Sequence, residues 1–101
     1  MKKAGKQAGA AKTLKVGHDL RIAQARALFE ALGAASRAPA ERIVLDASHV
    51  DKADAAGIQA LVAGTLLLRQ AGKSLSWAGC SAHLRSAADL LGVARELELP
   101  S

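Results

Sequence analysis

Residues 42–57, RIVLDASHVDKADAAG, constrain this chain more than any other stretch. Ile43, Val44 and Leu45 form a compact hydrophobic run that ends on Asp46. A short polar loop follows, and Asp54-Ala55-Ala56-Gly57 opens an apolar helical run. A strand that short and that uniformly apolar fits the centre of a sheet, buried on both faces, and such strands belong to α/β folds. The order strand, loop, helix N-terminus, with small residues at the mouth, presents backbone N–H groups or a hydroxyl to a partner.

The flanking segments extend the same alternation. Thr13 to Leu20 alternates in character, with Leu14 and Val16 on one strand face and Gly17 permitting a turn or bulge. This predicts a first strand, or a bent pair. Ile22, Ala25, Leu28, Phe29 and Leu32 recur at steps of three and four, the mark of an amphipathic helix, which Gly33 and Pro39 close. Ile58, Leu61, Val62, Thr65 and Leu66 form the stripe of a second helix, capped by Gly72. Lys73 to Trp77 alternates as a strand. Ser81 can N-cap a third helix in which Leu84, Ala88 and Leu91 face inward and Gly92 ends the run. Val93–Leu99 reads as a last turn or a short strand. The organisation is a basic disordered arm over residues 1–12 and one small α/β domain over 13–101, with right-handed crossovers and no internal repeat.

Charge placement excludes some functions. The chain carries +5, but residues 1–15 hold five lysines and no acid, and the remaining nine basic residues match nine acidic ones. A neutral body lacks the basic stripe that phosphate backbones need. With no Tyr, one Phe and one Trp there is little on which to stack bases, so nucleic acid is not an expected partner. Cys80 is alone, which rules out an intrachain disulfide and fits a reduced, cytoplasmic compartment. The basic N-terminus lacks the apolar segment of a signal peptide, and no run approaches the ~18 apolar residues of a membrane span.

Few residues carry candidate chemistry. Asp54 reads best as an N-cap accepting the Gly57 N–H. Asp46, at the strand end, can meet a ligand or bind the loop backbone around Ser48 and His49. Asp46, Asp51 and Asp54 match no cation-wrapping loop, so no metal is expected. His18, His49 and His83 are far apart in sequence; His83 falls on an outer helix face, and His49 lies in the mouth loop. Neither a G-x-S-x-G elbow nor a glycine-rich phosphate loop is present. Cys80 lies near a helix start, which lowers a thiol pKa, yet reads best as a passive loop cysteine. The second helix has a low-profile face of Gln59, Ala60, Ala63, Gly64 and Leu67, open either to packing within the domain or to a partner. No acid–base pair emerges, and the chain is read as a non-enzyme without a cofactor.

These motifs together resemble the STAS domain, the family of anti-sigma factor antagonists and related modules, over about residues 13–99. The resemblance rests on V-L-D-A-S-H-V-D-K-A-D-A-A-G-I-Q-A-L (44–61), A-G-K-S-L-S-W-A-G-C-S (71–81) and the closing L-L-G-V (90–93). It implies an α/β fold with a sheet of about four strands, taken as mixed, flanked by helices. It also implies a partner surface at the second helix and the loop before it. Asp54 and Gly57 match the family's D-S/T-x-G segment, and the residue a kinase-like anti-sigma factor phosphorylates there is Ala55 in this chain. The scaffold is carried over and the phosphoswitch is not. The implied partner-binding residues are Asp54, Ala55, Ala56, Gly57, Gln59, Ala60 and Ala63.

The wording D-A-A-G-I-Q-A-L-V-A, with the tryptophan strand and A-A-D-L-L-G-V, is similar to stand-alone STAS proteins encoded among bacterial chemotaxis and signalling proteins. That implies a cytoplasmic regulatory module whose partner is a sensor, chemotaxis or anti-sigma-like kinase. The alternative is the cytoplasmic STAS subunit of a phospholipid-transport ABC system, docked on its ATPase; that relative usually carries Thr at the Ala55 position. A homodimer is open to a small-residue helix face as well.

Overall fold

The computed structural model describes residues 10–100. Strand β1 (Ala11–Lys15) and a two-residue β2 (Asp19–Leu20) precede helix α1 (Ile22–Arg37). Then come β3 (Arg42–Ala47), β4 (Lys52–Ala53), α2 (Ala55–Gln70), β5 (Ser74–Cys80), α3 (Ala82–Leu91) and α4 (Ala94–Leu97). The α/β class is as the sequence predicts. The sheet differs in detail: among the described residues it has three strands, ordered β1-β3-β5, and both pairings are parallel rather than mixed. A helix in each connection returns the chain in the same direction, so parallel pairing follows. Among the described residues, β2 and β4 pair only with each other. Gly17, at φ +92°, turns the chain out of β1, and the loop 48–51 separates β3 from β4. β1 takes in Ala11 and Lys12 of the stretch read as an arm, and the rest of that stretch up to residue 9 lies outside the described residues.

β3 is central, as expected, but buried on one face. Ile43, Leu45 and Ala47 are fully buried with Leu32, Ile58, Leu61, Leu68, Leu84, Ala88 and Leu97 in one core. The alternate residues lie on the open face, polar around Val44. Thr13 and Ser76 flank Val44 and are exposed, while Val44 and Asp46 are half-buried. The period of two divides the strand between a helix-covered face and an open one, which three apolar residues in succession did not reveal.

α1 runs through Gly33 to Arg37, longer than predicted. Pro39 ends it: the residue before a proline is pushed out of the helical region, and Ala38 is extended at ψ 158°. Lys73 Nζ donates to the carbonyls of Ala38 and Ala40, satisfying groups just beyond the helix end. The inward face of α1 is Leu28, Leu32 and Ala35, while Ile22, predicted to be inward, is 72% exposed. The packing of α1 on α2 sets this rotation. A Cβ on Gly64 would stand 2.2 Å from Leu32 Cδ1, so Gly64 is the slot that receives Leu32.

Local signals at the third helix hold. Ser81 Oγ accepts the Leu84 N–H at 3.0 Å, and Gly92 is left-handed at φ +73°. Leu91, predicted to be inward, is largely exposed. The chain turns at Gly92 and Leu97 of α4 enters the core instead. Trp77 Nε1 donates to the Leu97 carbonyl at 2.9 Å, and Arg69 donates to the Glu96 carbonyl at 3.0 Å, so two side chains hold α4 down.

Candidate partner-docking surface

Asp54 is extended (φ −133°) and its carboxylate does more than the predicted cap. Oδ1 accepts the Gly57 N–H at 2.8 Å, and Oδ2 accepts the Ile22 N–H at 3.0 Å. Arg21, the residue before α1, offers no side-chain cap of its own. One carboxylate therefore caps two helices, reaching an N–H 32 residues away in the chain. The Asp54 N–H in turn donates to the Leu20 carbonyl at 3.0 Å. The Gly57 N–H, then the Ile22 N–H, hold the Asp54 carboxyl below the ordinary aspartate range.

Gly57 belongs to the same lock. A Cβ there would lie 2.0 Å from the Leu20 carbonyl oxygen and 2.4 Å from its carbon. The residue is buried. The expected bare, close-approach surface at Gly57 is thus an approach within the chain, of α2 to the β2–α1 link. Sequence reasoning missed the Leu20 and Ile22 contacts because they are long-range. The available signal was that Arg21 is a poor cap for a helix that needs one.

The open part of the mouth lies on α2. Ala55, Gln59, Ala63 and Leu66 are exposed and recur at steps of four, four and three, one continuous stripe. Ala56 and Ala60 are half-buried beside it, and Gly64 is spent on Leu32. From Ala55 to Leu68 the helix has no charged residue. Arg69, the first, is engaged with the α4 backbone. Exposed Ile22 stands at the same end, its N–H on Asp54.

The polar loop is built for its own conformation. Asp46 Oδ1 accepts the Ser48 hydroxyl at 2.6 Å and the Ser48 N–H at 3.0 Å, and these hold the Asp46 carboxyl low. Of the two readings of Asp46, the loop-backbone one is observed. Ser48 Oγ lies 3.2 Å from His49 Nδ1, and the His49 ring is 6.0 Å from that of His18. Among the described residues no three His, Cys, Asp or Glu side chains converge as metal ligands. His83 is exposed on α3. Cys80 is half-buried, and burial pushes its thiol up rather than down despite the helix start beside it. Its Sγ is 3.5 Å from the Ser81 carbonyl and takes no part in the Asp46–Ser48–His49 chain.

A protein-family model described as "Mlab, STAS domain" matches residues 4–100. The chain belongs to the STAS family. The solved structure of a sulfate transporter family protein from Wolinella succinogenes shares the STAS fold with it at TM-score 0.72 and 21% identity, over 86% of this chain and 70% of that one. No curated protein matches. STAS domains are in general non-catalytic interaction modules, which fits a site made of caps and an uncharged helix face. In this STAS domain Ala55 is the exposed first residue of α2, with no oxygen to take a phosphoryl group. Thr65, farther along α2, is buried and donates to the Val62 carbonyl. Among the described residues, no helix is long and apolar enough to cross a membrane.

The Asp54 lock makes stability acid-sensitive with a definite sign. Its folded pKa lies below the ordinary value of 3.8, so its contribution is complete above that value and declines as pH falls through the folded one. Asp54→Asn is expected to keep one acceptor and lose the other cap. In urea titrations across pH 3–6 the substitution should lower the midpoint at pH 6 and flatten the acid limb. An acid limb as steep as wild type would refute the assignment.

Proposed function

We propose that this STAS protein is a non-enzymatic docking module in bacterial signal transduction, engaged by a protein partner through the exposed stripe of α2 at the Asp54 mouth. The observation that carries the reading is the uncharged run from Ala55 to Leu68 with Ala55, Gln59, Ala63 and Leu66 open to solvent. A solvated helix ordinarily places charge on its outer face, and an apolar helix is ordinarily covered. Asp54 and Gly57 act as positioning residues: they fix the start of α2 against α1 without offering the partner a bare backbone. With Ala55 at the helix start the module binds without a phosphate switch at that residue. The signalling assignment rests on the likeness of the 54–63 wording to stand-alone STAS proteins of chemotaxis clusters, and it places the protein in the cytoplasm with a sensor, chemotaxis or anti-sigma-like kinase as partner.

A second reading is docking on the ATPase of a phospholipid-transport ABC system. Between the family model and the solved neighbour, only the latter carries a transporter in its name, a sulfate transporter family. The same surface serves both readings. Affinity capture from the native lysate, with wild type and Ala55→Glu in parallel, separates them. A signalling kinase enriched by wild type and lost with the glutamate supports the first, and an ABC ATPase with the same pattern supports the second. Equal enrichment of a partner by both proteins would contradict the surface.

A further inference from the structure

Two imidazoles that are far apart in the sequence meet at the carboxyl end of the sheet. His18 follows β1 and His49 follows β3; both are exposed, and their ring centres lie 6.0 Å apart with the planes tilted by 55°. The backbone ties the two loops to each other: the His18 carbonyl accepts the Asp51 N–H at 2.9 Å and the Lys52 N–H at 3.2 Å. The rings are thus held as neighbours by joined loops, which leaves a ligand little ordering to impose. An ion bound to one nitrogen of each ring at ~2.0–2.1 Å leaves the ring centres about 5–6 Å apart. The observed separation is of that size.

The neighbours of His49 place its proton. Ser48 Oγ lies 2.6 Å from Asp46 Oδ1 and 3.2 Å from His49 Nδ1. A hydroxyl has one proton to give. The bonds from Ser48 hold the Asp46 carboxyl below the ordinary aspartate range, so at neutral pH it is a carboxylate and only accepts. The hydroxyl proton therefore goes to Asp46, and Ser48 Oγ is left to accept from Nδ1. Neutral His49 carries its proton on Nδ1 and keeps the lone pair on Nε2. A ring nitrogen linked back to a carboxylate, with the other nitrogen basic, is the outer support that metal-binding histidines use. Neutral imidazole suits zinc, nickel and copper, whereas magnesium prefers oxygen. No third His, Cys, Asp or Glu side chain converges there among the described residues, so the remaining positions on such an ion fall to water.

We propose that His18 and His49 together bind a nitrogen-preferring divalent metal ion of the zinc class, His49 through Nε2, with Ser48 and Asp46 as positioning residues. The site does not rest on what docks along α2. The test is NMR titration of the tag-free full chain with ZnCl2, and with MgCl2 as the oxygen-preferring control, following the amides and the imidazole nitrogens. ZnCl2 should give shifts centred on residues 17–19 and 48–50 that saturate below about 1 mM, and MgCl2 should give none. His18→Gln and His49→Gln should each weaken zinc at least about tenfold. His83→Gln, at the third histidine, exposed on α3, should leave the affinity unchanged. Ser48→Ala keeps both imidazoles; it should weaken zinc about tenfold and free His49 from its fixed Nδ1–H tautomer. A zinc affinity unmoved by His18→Gln or by His49→Gln, no saturation at about 1 mM, an equal response to MgCl2, or a wild-type His49 with its proton on Nε2 would overturn the proposal.

Discussion

Gly57→Ala should destabilise the protein by about 3 kcal/mol or more, while the same substitution at Gly33 should stabilise it by ~0.5–1 kcal/mol. A methyl group on Gly57 would fall 2.0 Å from the Leu20 carbonyl oxygen, which is backbone and cannot swing aside. Either α2 or the β2–α1 link must move, and both Asp54 caps depend on their present spacing. At Gly33 the nearest atom to an added Cβ is Arg37 Nη1 at 3.7 Å, an ordinary contact at the end of a flexible side chain. The helix there gains only the better propensity of alanine. Thermal melts should show Tm falling by more than about 10 °C in the first case and rising by a few degrees in the second. A Gly57→Ala protein as stable as wild type would mean that α1 and α2 are not locked at the mouth.

Ala63→Arg should leave stability within about 0.5 kcal/mol of wild type and weaken partner binding at least about tenfold. The residue is exposed in mid-helix, where arginine is a good helix former. It lies at the centre of the uncharged stripe, one turn from Gln59 and three residues from half-exposed Leu66. A charge placed there must be desolvated when a partner covers the helix, and nothing within residues 55–68 can pair with it. Binding isotherms of the purified partner with wild type and variant check it, and equal affinities would remove the stripe from the interface.

What could be read in the sequence was set by distance along the chain. The Asp54–Gly57 cap, the Ser81–Leu84 cap, the Gly92 turn and the Asp46–Ser48 loop all join residues within about one turn, and each was legible from spacing. The second cap on Ile22 and the contact of Gly57 with Leu20 join segments that meet only after folding. They reassign Gly57 from a surface residue to a packing one and bring Ile22 out of the expected core. Helix periodicity located α1 but not its rotation, because Ile22 and Phe29 extend its apolar stripe as well as Leu32 and Ala35 do; the Gly64 slot on α2 decides the matter. Val44 made β3 read as buried on both faces, although its neighbours Thr13 and Ser76 come from other strands and are polar. The low-profile face of α2 likewise divides only in three dimensions, Gly64 inward and Ala63 outward.

The central claim is that a protein partner covers the outer stripe of α2. A photo-crosslinking amino acid placed at Ala63, and separately at exposed Ser86 on α3, tests it most directly in living cells. The account predicts one discrete crosslinked partner from position 63, lost when Ala55→Glu is added, and none from position 86. A partner crosslinked from position 86 and not from 63 would contradict it.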